Sequence, residues 1–497
     1  SIPNGTFFFF FTALSPTYSP PSNFTGIIEF TFTSEDPIGP CPEVSSSVTV
    51  EFNSEAIADA GDYAPLCVNS SVTLNGTIGG AASSGSWTSS NGGVFSNPNA
   101  LHSTYTPPVN FVGTITLTLL TDDPTGPCSF TSDTVDIIIL PTPTIDSISN
   151  REVCNGTIVG PIDFTGVSAT SFNWTNSNPA IGLGSSGTGS INFTATNTSN
   201  SPISALITVT PVNSSGGTNC EGTPISFTII VYPSAQVTTL SNIVLCNGAI
   251  VPSQVFTTLQ SGGTTEYSWI NSNNTIGLGD NGTGNLPEFT AINTTTAPKT
   301  ATITVTPSYT NNGVTCSGNP MSFTIIVNPT GQITSIANKI VCNSQQVTVP
   351  FTSTNTGGTT SYSWNNTNPN IGLVGSGSGN LSFVATNTGT SPITGTITVT
   401  PTFTNENVSC VGTPISFDIT VNPSAQVNQP SNLEYCSNDN VPSIVFVTTN
   451  TIGTTTYSWN NDTPAIGLAA SGNGSIPNFT ATNTTNSPIT ATIQVTP

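Results

Sequence analysis

The ten cysteines are the residues of this chain best suited to chemistry, and they are regularly spaced. Cys41 to Cys67, Cys128 to Cys154, Cys220 to Cys246, Cys316 to Cys342 and Cys410 to Cys436 each span 26 residues. No Cys-x-x-Cys occurs, and the chain has one histidine, so a cysteine-based zinc centre lacks its ligands. Regular cysteines without close pairs point to disulfides and an oxidising compartment. Two pairings are open. Within repeats the pairs are Cys67–Cys128, Cys154–Cys220, Cys246–Cys316 and Cys342–Cys410, with Cys41 and Cys436 left over. Each would close a loop of roughly 60 to 70 residues, worth ~4 kcal/mol in the chain-entropy picture. Across boundaries the pairs are Cys41–Cys67, Cys128–Cys154 and so on. That choice must bring strand, linker and strand back on themselves, because a disulfide needs Cα atoms about 4.4–6.8 Å apart. The first choice has its own difficulty, since an immunoglobulin strand order puts the two cysteines at opposite poles. Of the two, within-repeat pairing is expected.

Other groups invite chemistry less well. Glu35-Asp36 and Asp122-Asp123 are paired carboxylates in corresponding loops, hard oxygen ligands that could take Ca²⁺. Two adjacent acids without a fuller ligand set read better as a solvated loop. Gly182-Leu183-Gly184-Ser185-Ser186-Gly187 fits a dinucleotide fingerprint, but that motif must open a helix. The residues just beyond it, Ile191-Asn192-Phe193-Thr194-Ala195, read as a strand, so the glycines read as tight turns. A Ser/His/Asp triad would need His102, the only histidine, and a surface or strand role suits it better. Asn-x-Ser/Thr sequons such as Asn155-Gly156-Thr157 are frequent because Asn and Thr are frequent. No catalytic residue and no cofactor are assigned.

The elements that would position these groups are strands. Only 5% of residues are charged, with 3 Lys plus Arg (Arg151, Lys299, Lys339), 24 Asp plus Glu and a net charge of -21. Three scattered cations cannot build a phosphate-binding surface, so nucleic acid is excluded as a partner. Thr, Ser, Asn, Val and Ile dominate over helix formers, which predicts an all-β chain. The aromatic run Phe7 to Phe11 is strand-sized. Intramolecular Lys–Asn crosslinks cannot occur in every repeat, so disulfides are the available covalent staple.

Internal repeats decide the organisation. Trp174, Trp269, Trp364 and Trp459 are 95 residues apart, as are the Ile-Gly-Leu triplets beginning at Ile181, Ile276, Ile371 and Ile466. A second subtype precedes them: Tyr18 and Tyr105, Phe24 and Phe111, and Pro37 and Pro124 are each 87 apart. Boundaries fall near 53, 141, 233, 329 and 423. This gives 1–53 (partial, first subtype), 54–141, 142–233, 234–329, 330–423 and 424–497 (truncated). The first unit lacks its front half and the last its final strand, which reads as a fragment of a longer chain.

Within residues 330–423, Ile415, Phe417, Ile419 and Val421 alternate with polar residues, as do Ile397 and Val399. Leu381 to Ala385 is a further short strand. Gly, Pro and Asn clusters separate these runs at β-sandwich spacing. Six or seven strands per repeat are expected, with the tryptophan on the third, facing the core. The constant 26-residue cysteine step implies repeated junction geometry and an extended, semi-rigid rod.

The strings Val153-Cys154-Asn155-Gly156, Phe172 to Leu183, Ser186-Gly187-Thr188-Gly189, Phe193 to Asn197 and Ile207 to Pro211 resemble the PKD-like repeats of giant surface adhesins in Bacteroidota, gliding adhesins among them. Residues 1–141 resemble an Ig-like repeat of the same proteins. At 234–329 the sequence Asn273-Asn274-Thr275 departs from the pattern, which should alter a turn and not the fold. The resemblance implies tandem Ig/PKD-like sandwiches in a non-enzymatic adhesin stalk on the outer membrane, facing the cell exterior. It implies as partners the type IX secretion machinery, a gliding motor or outer-membrane attachment proteins, and an external surface or polysaccharide. It also implies O-glycosylation at Asp-Ser/Thr-aliphatic sites, which places candidates at Thr134 and Ser147. The alternative is a series of carbohydrate- or calcium-binding modules. Four solvent-facing tryptophans in successive repeats would favour that alternative.

Overall fold

The computed structural model describes residues 6–7, 15–36 and 38–497. Phe8 to Phe11 and Pro37 lie outside the described residues. The chain is all-β, 45% strand and 2% helical, with multiple sandwich sheets. It divides into two compact units. One comprises 1–234, 260–263 and 310–316; the other comprises 235–259, 264–309 and 317–497. Separate hydrophobic cores form around Trp87, Trp174, Trp269, Trp364 and Trp459.

Residues 330–423 lie wholly in the second unit and show how sequence becomes sandwich. Their strands are β1 (Lys339–Cys342), β2 (Gln346–Val349), β3 (Thr359–Asn366), β4 (Ser376–Ser378), β5 (Leu381–Val384), β6 (Ile393–Asn405), β7 (Val408–Val411) and β8 (Ile415–Asn422). The large sheet has the order β1-β8-β6-β3-β4, with β7 pairing β6, and β2 and β5 form the second sheet. Trp364 sits on the third strand, as the alternation predicts.

The central strand β6 is longer than Thr396–Thr400. It buries Gly395, Ile397, Val399, Pro401 and Phe403 on one face and turns the alternate threonines Thr394, Thr396, Thr398, Thr400, Thr402 and Thr404 to the other. A proline in a central strand removes a ladder donor. Here β8 pairs β6 up to Val399, β7 takes over at Thr402, and Pro401 falls in the gap between partners. Strand β1 runs parallel to β8, with Cys342 opposite Asn422.

Between β3 and β4 a 3₁₀ turn, Pro369–Ile371, puts Ile371 into the core. The Asn368 side chain caps it at one end, and Gly372 (φ 94°) closes it at the other in a left-handed conformation that favours glycine. The divergent Asn273-Asn274-Thr275 keeps the same turn, with Asn273 capping and Gly277 at φ 99°. Asparagine replaces proline at a position where φ is ordinary, so the turn survives along with the fold.

In the first unit, residues 142–233 repeat this arrangement. Arg151–Cys154 lies parallel to Ile225–Tyr232, which pairs the long strand Ile203–Ser215. The first subtype is simpler. Its larger sheet orders Leu66–Cys67, Ser132–Leu140, Gly113–Thr121 and Gly85–Ser89, and among the described residues Gly26–Thr33 pairs Ser45–Phe52 as a two-stranded hairpin.

Candidate functional sites and recurring junctions

The cysteines do not pair within repeats. The bridges are Cys67–Cys220, Cys154–Cys316 and Cys246–Cys410, with Cα separations of 5.4, 5.5 and 5.5 Å. Of the eight candidates, Cys128 and Cys342 are free, as are Cys41 and Cys436. The strand order explains the outcome. Cys342 ends β1 beside Asn422, at the pole where β8 leaves, whereas Cys410 on β7 lies opposite Phe403 near the far end of β6. From Ile393, opposite Val421, to Phe403 is ten residues along β6, or about 33 Å, so these two thiols cannot meet. The trailing pole of one sandwich instead offers its cysteine to the leading hairpin of the next. Bridges directly across a boundary, such as Cys128–Cys154, do not form either: Cys128 lies in the loop between Gly113–Thr121 and Ser132–Leu140, whereas Cys154 ends a strand beside Tyr232.

The four recurring tryptophans are buried, at 8, 4, 7 and 3% exposure for Trp174, Trp269, Trp364 and Trp459. Their indole N–H groups have no hydrogen-bond partner. Each is paired with a glycine on the adjacent short strand (Gly187, Gly282, Gly377 and Gly472) whose missing side chain makes room for the ring. The fingerprint-like glycines therefore divide into turn glycines such as Gly182 and ring-bed glycines such as Gly187.

Sequence reasoning missed a set of working asparagines. Asn197, Asn293 and Asn387 are 3, 1 and 3% exposed. Asn387 Nδ2 donates to Ser391 O (2.9 Å) and Val421 O (2.7 Å), and its Oδ1 accepts from Gly389 N (3.0 Å). Asn197 and Asn293 do the same through Val231 O and Val327 O. A second set, Asn176, Asn271, Asn366 and Asn461, clasps the Ile-Gly-Leu loop. Asn366 Nδ2, for one, donates to Leu373 O at 2.7 Å. The sequons at Asn197 and Asn293 are loop staples with both donor hydrogens engaged by backbone carbonyls. The signal available was their recurrence at corresponding positions in each repeat.

Asn155 belongs to the same network. Its Oδ1 accepts from Asn197 N, and its Nδ2 donates to Ser234 Oγ at 2.9 Å. Asn343 makes the same bond to Ser424 Oγ at 2.8 Å. Backbone contacts recur with these. Ser261 N donates to Asn200 O (2.9 Å), Thr356 N to Thr296 O (3.0 Å) and Thr451 N to Thr390 O (3.1 Å). The three contacts occupy matching sequence positions, so one backbone contact is used three times.

The paired carboxylates lie in two separate loops. Asp122 is engaged locally: its carboxylate accepts from Ser83 N (2.9 Å), Ser84 N (3.0 Å) and the Ser83 hydroxyl. These donors, the Ser83 hydroxyl foremost, hold its pKa at about 2, below the ordinary 3.8. Asp123, Glu35 and Asp36 are exposed. Among the described residues no three His, Cys, Asp or Glu side chains converge to hold a metal ion. His102 is exposed in a turn. Thr134 is exposed on the strand Ser132–Leu140, and Ser147 is exposed outside any strand. Among the described residues no helix is long and apolar enough to cross a membrane.

No protein-family model and no curated protein matches the chain. Solved structures similar to it include extracellular cadherin domains 3–6 of protocadherin gamma B2, at 11% identity, 72% of this chain, 97% of that one and a TM-score of 0.23. The N-terminal eight Ig domains of Down Syndrome Cell Adhesion Molecule match at 10% identity, 97% of this chain, 62% of that one and a TM-score of 0.27. The insect immune protein hemolin matches at 12% identity, 75% of this chain, 100% of that one and a TM-score of 0.22.

Proposed function

We propose that the chain is a non-enzymatic stalk segment of a long cell-surface adhesin, built from six tandem repeats divided near 53, 141, 233, 329 and 423. The observation that carries this reading is the junction contact made three times over, at Asn200–Ser261, Thr296–Thr356 and Thr390–Thr451. A chain selected for reach needs each unit set on the last in the same way. The recurring side chains that another reading would use for ligands are engaged inside the repeats. The tryptophans are in the cores, the asparagines staple loops, and Asp122 clasps Ser83 and Ser84.

The finer reading follows the sequence resemblance to flavobacterial gliding adhesins such as SprB. On it, the parent protein leaves the cell by type IX secretion, attaches to the outer membrane and is carried by a gliding motor. It engages an external surface or polysaccharide through parts other than this stalk, and its stalk is O-glycosylated at Thr134 and Ser147. The alternative, tandem carbohydrate- or calcium-binding modules using Glu35, Asp36, Asp122 and Asp123, draws no support from the buried tryptophans. In-frame deletion of residues 234–423 tests the stalk. It should shorten the surface filament while secretion and adhesion persist. If the shortened protein reached the surface but no longer bound its target, these repeats would be the receptor.

A further inference from the structure

The three disulfides overlap along the sequence, and their overlap has a mechanical consequence. From Cys67 a bridge leads to Cys220, 26 residues of backbone lead to Cys246, and a second bridge leads to Cys410. Cys67 and Cys410 are 343 residues apart along the chain (410 − 67), yet only 26 residues and two bridges separate them covalently. Cys154–Cys316 belongs to a second path, whose own 26-residue steps are 128–154 and 316–342. The steps of the first path are 41–67, 220–246 and 410–436.

We propose that this covalent topology gives the chain a load-bearing function. Tension applied along it runs through the 26-residue steps and the bridges, and the residues between bridged cysteines, 68–219 and 247–409, are held out of the force path. A sheet resists pulling through hydrogen bonds each worth roughly 0.5–1.5 kcal/mol net, and these yield one after another. A disulfide does not yield that way. The spacing supports the assignment independently. Within repeats the distance from early to late cysteine varies, at 61, 66, 70 and 68 residues, while the three steps on the load path (41–67, 220–246 and 410–436) and the two on the second path (128–154 and 316–342) are all 26. Length drifts inside the repeats and is fixed in the steps that adjoin a bridge. The step 220–246 holds the strand Ile225–Tyr232, gripped by a neighbour on each side, and ends in Ile243–Cys246. The load path does not rest on the adhesin reading, because it holds for any chain with these bridges under tension.

Single-molecule pulling of the full chain by its termini tests it, with residues outside Cys67–Cys410 contributing equally throughout. At about 3.5 Å per residue, this span should extend by about 90 Å when oxidised and about 1,200 Å when reduced. Replacing Cys154 and Cys316 together by Ser should leave the oxidised value unchanged, since that bridge is off the path. Replacing Cys67 and Cys220 together should raise it to about 550 Å. The force would then run 87 residues from Cys67 to Cys154, cross to Cys316, and return 70 residues to Cys246. Equal extension of the unsubstituted protein in both redox states would overturn the proposal without any variant. So would a Cys154/Cys316 variant that lengthens as much as the Cys67/Cys220 variant.

Discussion

Gly377 lies directly beneath the indole of Trp364. The two are register partners on adjacent strands, and a methyl group on Gly377 would stand 2.8 Å from both Cε2 and Cη2 of the ring. The ring is fixed from its other face by the core, so it cannot retreat. Gly377→Ala should therefore destabilise its repeat by about 1–3 kcal/mol, the usual cost of overpacking. Gly375→Ala, two residues away with only Pro369 Cγ at 3.9 Å, should change stability by less than about 0.5 kcal/mol. Denaturant titrations of the two variants give the comparison. Equal effects would mean that the glycine is not a bed for the ring.

Asn387 holds two backbone carbonyls and one backbone N–H in a buried loop. Asn387→Ala leaves those groups without partners, at about 2–4 kcal/mol. Asn483 is its counterpart near the end of the chain and makes the local bonds alone, to Ser487 O and from Thr485 N. Asn483→Ala should cost less than half as much in the same titration. If the two substitutions cost the same, the strand carbonyl at Val421 contributes nothing.

The alternation of Ile415, Phe417, Ile419 and Val421 showed a half-buried strand, and the 95-residue tryptophan interval showed the repeat, because periodicity records which face is dry. The Ile-Gly-Leu triplet likewise announced a tight turn, which the structure shows capped by Asn368 and closed at Gly372. Cysteine pairing was not legible from spacing. A constant 26 says that the step is constrained, but which pole Cys342 occupies depends on β1 lying parallel to β8, a tertiary fact. Asn387 was hidden for another reason: in a chain so rich in Asn and Thr, a working asparagine looks like the background.

Asp122 should titrate abnormally low. Its folded pKa of about 2 lies below the ordinary 3.8, so the ionised form is favoured by folding. The clasp on Ser83 and Ser84 therefore contributes fully above pH ~4 and is lost as pH falls through about 2. A carboxyl-resolved NMR titration should place the Asp122 midpoint near 2, and Ser83→Ala should move it towards the ordinary value. A midpoint already near 3.8 in the unsubstituted protein would show that the clasp does not form.

The bridge pattern can be read from a single digest, because the three basic residues cut the cysteines into informative groups. Cleavage after Arg151, Lys299 and Lys339 leaves four fragments. The first carries Cys41, Cys67 and Cys128; the second Cys154, Cys220 and Cys246; the third Cys316; the fourth Cys342, Cys410 and Cys436. The bridges Cys67–Cys220, Cys154–Cys316 and Cys246–Cys410 each join the second fragment to a different one. Protein denatured without reductant, alkylated and digested with trypsin should therefore run as one covalent assembly that falls into four fragments on reduction. Within-repeat pairing would leave the first and fourth fragments free and only the second and third joined. Pairing across boundaries would give two joined pairs, first with second and third with fourth. Only the staggered pattern holds all four together, and either other result would refute it and the load path built on it.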